Sequence, residues 1–276
     1  PKFSARSFFE DAVRLEATCF TFVGTVLSIL AARHLERRTD HRLRFGIGRG
    51  TPRGIWRAIH DRFGIRIFEG YGMTEIGCFA TYKSVTSNRV ASCGKARSDM
   101  DVRILDSDDR ELGPGERGEI AVRPREPFVI MSRYYKRAEQ TLLASRNLWF
   151  HTGDRGSLDA DGFLYFHGRL KELIRRGGEM ISPIEIETKL RSMPGVIDCA
   201  IVGVEDALLG EKIKAVVVAE NALKTQAIAD FLHDKRPRYM LPRHVEFLSA
   251  IPKIETEKIQ RFKPTYRNSA VIDLKQ

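Results

Sequence analysis

The stretch "HTGDRGSLDADGFLYFHGRLKELIRRGGE" (residues 151–179) holds a carboxylate, Asp154, a scatter of turn glycines, Arg169 and Lys171 two positions apart, and a Gly177-Gly178 doublet. The texture of the sequence changes on either side of it. Upstream, from Gly94, short alternating segments such as "DVRILDSDDRELGPGERGEIAVRP" (101–124) are split by Asp-Asp, Gly-Pro-Gly and Arg-Gly, the pattern of an antiparallel sheet. Downstream of "FHGR", Ser182 and Glu185 have capping-box spacing with Pro183 at the first helical position, and Ile186, Leu190 and Met193 give a buried stripe before Pro194-Gly195 ends the helix. Strands over 196–204, 212–219 and 244–248, and a helix carrying Ala227, Ile228, Phe231 and Leu232, complete a small α/β domain. The quoted stretch therefore lies across a domain boundary.

Nearer the start, Ser7 and Glu10 have the spacing of a capping box, which predicts a helix entering the apolar run "TCFTFVG" (18–24). "LRFGIG" (43–48) reads as a short buried strand, "TPRGIWRAIHDRF" (51–63) as a helix opened by Thr51 and Pro52, and "GIRIFEGYG" (64–72) as the next strand. Strand, helix, strand is a parallel crossover, and open parallel sheets bind ligands beyond the carboxyl ends of their strands. The loops "GIGRGTP" (46–52) and "EGYGMTE" (69–75) are thus expected side by side on one rim.

The 276 residues are enough for two ordinary domains, and 42% hydrophobic with 30% charged residues is a globular composition. The net charge of +10 is spread along the chain: residues 169–276 carry 19 Lys+Arg against 15 Asp+Glu. That suits either a solvated basic surface or a polyanionic ligand such as a nucleotide or CoA; no zinc spacing, basic-region heptad or aromatic RNA-binding signature points to nucleic acid. Cys19, Cys78, Cys93 and Cys199 are far apart, with no Cys-x-x-Cys, and read as reduced thiols of a cytoplasmic protein. The longest apolar stretch, 19–30, is shorter than the roughly 20 residues of a membrane span. The opening "PKFSARSFFEDAVR", with neither initiator Met nor signal-peptide pattern, reads as part of a longer chain.

Taken singly, the chemistry-bearing residues have two readings each. Asp154 either caps its own "HTGD" turn or takes two hydroxyls of a ribose diol on its two oxygens. Arg169 is a surface ion-pair partner or a clamp on phosphate or ribose. Gly177-Gly178 is a plain loop or a place where a ligand approaches the backbone closely.

The order of the motifs narrows these choices. "EGYGMTE", "RGEIAVR", "FHTGD", "GRLKELIRRGGEMISPIEIE" and "PKIETEKIQR" follow one another as the core motifs of the adenylate-forming superfamily do, and the chain resembles its acyl-CoA ligases over nearly its whole length. The resemblance implies an α/β fold: the C-terminal part of a large AMP-binding domain (1–92), its β subdomain (93–168) and a small mobile C-terminal α/β domain (169–276). It implies ATP or AMP, CoA and Mg²⁺ as ligands and a carboxylic acid as substrate. Carried over by position, Gly48, Gly50, Thr51 and Pro52 would form an adenine wall, with Gly70, Tyr71 and Gly72 along the purine. Thr74 would touch the α-phosphate and Glu75 would hold Mg²⁺. Asp154 would take the ribose, supported by Arg169; Lys171 would be the pivot of the last domain. Gly177 and Gly178 would line the pantetheine path, Lys258 would be the adenylation lysine, and Ile76, Gly77 and Cys78 would border the acyl pocket.

Two departures stand out. Glu257 occupies the place before Lys258 where the family usually has Gly, and the Gly/Ser/Thr-rich phosphate loop ending in Lys-Gly is absent from these residues. They leave two alternatives beside the ligase: a peptide-synthetase adenylation domain, and a catalytically silent nucleotide-binding relative.

Overall fold

The computed structural model describes the chain except residues 1–2, 52–53, 87–88, 90, 221–222, 234–236, 253–271 and 274–276. Two compact units meet in sequence between Phe166 and His167.

The first unit opens with α1 (Phe8–Arg14), β1 (Cys19–Val23), α2 (Gly24–Arg33), β2 (Phe45–Arg49), α3 (Ile55–Phe63) and β3 (Arg66–Tyr71). β1, β2 and β3 are parallel neighbours, with Phe45 beside Arg66 and Gly48 beside Glu69, so the expected crossover is present. The sheet continues antiparallel through β4 (Thr81–Tyr82) and β5 (Lys95–Ala96). Phe9, Leu27, Leu30, Ile59, Phe63 and Ile65 pack into one core against this sheet. Burying each such side chain is worth roughly 1.5–3 kcal/mol.

Three local expectations are corrected. Ser7 precedes α1 without a side-chain cap bond; the Asp11 carboxyl is held below its ordinary pKa first by Arg14 and then by the Ser7 hydroxyl. The apolar run divides at Gly24 into strand and helix, because the strand-to-helix turn packs directly on the loop after β2: a Cβ at Gly24 would lie 1.7 Å from the Gly50 carbonyl oxygen. And α3 starts at Ile55 behind a left-handed Gly54 (φ +89°), not at Thr51. The Thr51 N–H donates to the Glu69 carboxylate at 2.8 Å, which ties Thr51 to β3 ahead of the helix.

Then come β6 (Met100–Leu105), β7 (Gly118–Pro124), α4 (Ala138–Ala144), β8 (Phe150–Leu158) and β9 (Leu164–Arg169). Their strands form a four-stranded sheet in chain order, antiparallel where the register is given, as the alternating segments predict. Met100, Val102, Ile104, Ile120, Val122, Phe150 and Leu164 form its core, and Tyr71 and Ile76 belong to the same cluster. The parallel sheet's third strand thus ends inside the core of the antiparallel one.

The second unit contains β10 (Ile174–Arg176), β11 (Glu179–Ile181), α5 (Pro183–Leu190), β12 (Val196–Asp206), β13 (Gly210–Ala219), α6 (Thr225–His233), β14 (His244–Phe247) and β15 (Ile272–Asp273). The strand order is β11-β10-β13-β14-β15, with β12 also paired to β13. The predicted stripe of Ile186, Leu190 and Met193 is buried against Ile201, Ile213, Val217, Ile228 and Leu232. Pro183 does occupy the first helical turn, but the Ser182 hydroxyl donates to the His167 carbonyl at 2.6 Å rather than capping α5.

Among the described residues no helix is long and apolar enough to cross a membrane, and all four cysteines are free. Cys19 and Cys78 are exposed and Cys199 is buried. Burial, with the Glu69 carboxylate adding to it, pushes the Cys93 thiol up to about 12. Mass-spectrometric mapping after iodoacetamide treatment at pH 8 is therefore expected to find Cys19 and Cys78 alkylated in the native protein and Cys93 and Cys199 only after denaturation, since the thiolate is the reactive form.

Candidate functional site

β2 and β3 run parallel and end at Arg49 and Tyr71, so the residues after them share one rim. Glu69 ties the two loops together. Its Oε1 accepts the Thr51 N–H at 2.8 Å, and its Oε2 pairs at 3.0 Å with the buried ammonium of Lys83. Arg49 adds a hydrogen bond to the Gly72 carbonyl at 3.2 Å. Gly48, Gly50, Thr51, Gly70, Tyr71 and Gly72 are all brought to this rim; Pro52 lies outside the described residues. Gly48 and Gly72 have no room for a side chain: a Cβ would stand 2.1 Å from the Phe22 carbonyl oxygen and 1.5 Å from that of Cys78. Protein packing alone demands these two glycines, so whatever they offer a purine comes from their backbone.

Thr74 opens a short 3-10 turn, Thr74–Ile76, and is exposed. Glu75 is half-buried; its Oε1 accepts from the Tyr134 hydroxyl at 3.1 Å and its carbonyl from the Met131 N–H at 2.8 Å. Among the described residues no group of three or more His, Cys, Asp or Glu is gathered as a metal site. A single oriented carboxylate fits a Mg²⁺ that takes its other ligands from phosphate oxygens and water.

Asp154 reaches the rim from β8. Glu119 of β7 faces Arg155 and Ala121 faces His151, so residues 152–154 stand opposite Ile120 alone, a bulge in the strand rather than the expected turn. Gly153 adopts φ +70° within it, with nothing within 4 Å of a Cβ position. Thr152 donates its hydroxyl to the Ile120 carbonyl at 2.7 Å and accepts the Asp154 N–H at 3.1 Å. Asp154 itself is 4% exposed, and its Oδ2 accepts the Tyr71 hydroxyl at 2.8 Å. Thr152 serves the local backbone here, and the Asp154 carboxylate reaches across to the other motif.

Sequence reasoning passed over Glu69, Glu119 and Tyr134. The first two stand inside the quoted motifs "EGYGMTE" and "RGEIAVR", and an acidic residue in an otherwise apolar strand was the signal available.

In the second unit, Arg169 and Lys171 are exposed, Arg169 at the end of β9 and Lys171 on the following 3-10 turn, Leu170–Glu172. Gly177 (φ +56°) and Gly178 (φ +88°) form the two-residue loop of the β10–β11 hairpin, where Arg176 pairs with Glu179. Two consecutive positive φ values are what a type I′ turn requires. A Cβ at Gly178 would meet nothing within 4 Å, so here the space over the backbone is open. Lys258 and Glu257 lie outside the described residues.

Residues 1–135 match the AMP-binding enzyme family and residues 185–258 the AMP-binding enzyme C-terminal domain. Human acyl-coenzyme A synthetase ACSM4, mitochondrial, is 32% identical over 274 residues, which cover 94% of this chain and 47% of that protein. Sulfoacetate–CoA ligase of Cupriavidus necator is 34% identical over 268 residues, covering 95% and 52%. The chain thus spans about half the length of the curated relatives it matches. Among solved structures, o-succinylbenzoate CoA synthetase of Bacillus subtilis in complex with its acyl-adenylate intermediate OSB-AMP superposes with a TM-score of 0.87 at 27% identity, over 99% of this chain and 55% of that one.

Two substitutions test the geometry without any ligand. Tyr71→Phe deletes a hydrogen bond to a buried carboxylate and is expected to lower unfolding free energy by about 1.5–3 kcal/mol in urea denaturation. Gly153→Ala meets no steric neighbour, so it should cost only the left-handed backbone strain, about 1–2 kcal/mol.

Proposed function

This chain belongs to the AMP-binding, adenylate-forming enzymes, and from that premise we propose that it carries the nucleotide-binding rim and the thiol-accepting domain of an ATP-dependent acyl-CoA ligase. The observation that carries the reading is the Tyr71–Asp154 hydrogen bond, which unites two motifs 83 residues apart at the carboxyl end of a parallel sheet. A nucleotide is the ligand class that such a rim suits.

In the proposed reaction a carboxylate oxygen of the acid attacks the α-phosphorus of ATP and pyrophosphate leaves. The thiolate sulfur of CoA then attacks the acyl carbon of the adenylate and AMP leaves. The Asp154 carboxylate, held by Tyr71, accepts hydrogen bonds from the two ribose hydroxyls, with Arg169 in support. The backbone edges around Gly50, Thr51 and Gly70 to Gly72 bound the purine. Thr74 donates to the α-phosphate, and Glu75, steadied by Tyr134, is the protein ligand of the cation. Bound there, Mg²⁺ supplies charge stabilisation of the phosphates during displacement. Lys258 brings a fixed ammonium to the developing negative charge. Lys171 is the pivot that withdraws Lys258 and presents the Gly177-Gly178 turn to the pantetheine arm, a gating motion of a common kind. The phosphate loop is assigned to sequence beyond these 276 residues. Free thiols favour a reducing compartment, for which we propose the cytoplasm, although six of the relatives with matching half-chains are named mitochondrial.

A silent nucleotide-binding relative is the rival reading, favoured by Glu257. In the proposed ligase Glu257 tempers Lys258 without disabling it.

Calorimetry and two half-reactions test the proposal. Asp154→Ala should weaken AMP binding by about tenfold or more, as loss of charge-assisted hydrogen bonds requires. With the chain joined to an upstream half bearing the phosphate loop, Lys258→Ala should abolish pyrophosphate release yet spare thioester formation from a supplied acyl-adenylate, and Lys171→Pro should do the reverse. Equal loss in both half-reactions for both variants would remove the two-state role of the last domain. No pyrophosphate release from the joined parent with any acid would favour the silent relative.

A further inference from the structure

Glu119 sits on β7 opposite the bulge that carries Asp154, and its two carboxylate oxygens do different things. Oε1 accepts the Gly153 N–H at 2.9 Å. Oε2 lies 2.9 Å from His151 Nδ1 and accepts from Arg146 Nη2 at 3.1 Å. His151 and Gly153 are the residues on either side of Thr152, so one carboxylate holds both shoulders of the distortion that turns Asp154 toward Tyr71. The His151 side chain is 2% exposed and the Glu119 side chain 13%, which makes the clamp stiff rather than a surface ion pair. Arg146 is in turn fixed by Asp109, and Asp109 also accepts from Asn147 at 2.6 Å, so the carboxylate has its charge balanced from the solvent side. Without an acceptor at this place the Gly153 N–H would be left unsatisfied inside a bulge that has already forfeited its ladder bonds.

We propose that Glu119 is the positioning residue of the nucleotide site: it acts through Gly153 and His151 to set the Asp154 carboxylate where two ribose hydroxyls can reach it. This rests on the reading of Asp154 as the ribose acceptor. Because Glu119 acts through Gly153 and His151 and not by contact with the nucleotide, its removal changes the selectivity of the site for the diol and not the general affinity for a nucleotide.

The test compares AMP with 2′,3′-dideoxy-AMP by calorimetry on the 276-residue chain and on Glu119 variants, together with a crystal structure of each variant. The parent is expected to favour AMP by about tenfold or more. Glu119→Ala should bring that ratio close to one by weakening AMP while leaving the dideoxy nucleotide unchanged. Glu119→Gln keeps an oxygen for the Gly153 N–H and should retain most of the preference. Should Ala destabilise the sheet, Glu119→Asp carries the same expectation as Ala: the charge remains, but the shorter stem cannot span Gly153 and His151 together. In the crystal, the Tyr71–Asp154 bond of 2.8 Å should open in the Ala or Asp variant with the β7–β8 pairing otherwise kept. A preference for AMP that survives in both variants, equal weakening of both nucleotides, or an unmoved Asp154 overturns the positioning role. A parent that takes the two nucleotides alike, or takes neither, overturns the ribose reading instead, and the variant structures then decide the positioning of Asp154 separately.

Discussion

A carboxylate buried to 4% exposure has to be compensated where it stands, and the Asp154–Tyr71 hydrogen bond is a contact that does so across the two sheets of the first unit. Moving an ionised carboxyl from water into a protein interior costs several kcal/mol, and each charge-assisted hydrogen bond returns about 1.5–3 kcal/mol. Tyr71 can supply its bond only because β3 ends inside the core of the antiparallel sheet, among Met100, Ile120 and Phe150. The position of the parallel strands, the depth of the antiparallel core and the aim of Asp154 are therefore one constraint.

Two further carboxylates apply the same logic to backbone. Glu69 and Glu119 each spend one oxygen on a loop N–H, of Thr51 and Gly153, and the other on a cation or an imidazole. An acidic side chain in a buried strand is expensive unless its lone pairs are filled, and here they are filled by the irregular segments that surround the rim. Loops of this kind would otherwise have orphaned N–H groups, which folded proteins avoid. The rim is thus shaped by side chains that lie beneath it.

The glycines divide by what surrounds them. Gly48 and Gly72 are required by neighbouring carbonyls at distances no side chain tolerates, whereas Gly153 and Gly178 are required by backbone conformation with open space above. The second kind leaves open space over the main chain at the Cβ position, whereas the first kind is closed there by protein.

Much was legible from residue order alone. The crossover of 43–72 follows from apolar runs interrupted by a helix of Ile59 and Phe63 spacing, the antiparallel segments from their turns, and the α5 stripe from its period, because each depends on local periodicity and short connections. The motif order carried the family. Sequence alone did not place α1's cap, the start of α3 or the bulge at Thr152 to Asp154. Ser7, Thr51 and Ser182 have the chemistry of helix caps, yet Ser7 and Ser182 make no side-chain cap bond and α3 begins only at Ile55; the Ser182 hydroxyl donates instead to the His167 carbonyl, which the fold brings to 2.6 Å. Likewise a two-residue excess on β8 over β7 is visible only once the strands are paired. Local pattern determined which elements form; tertiary structure decided which buried polar groups meet, since hydrogen-bond partners distant in sequence are chosen by packing and not by period.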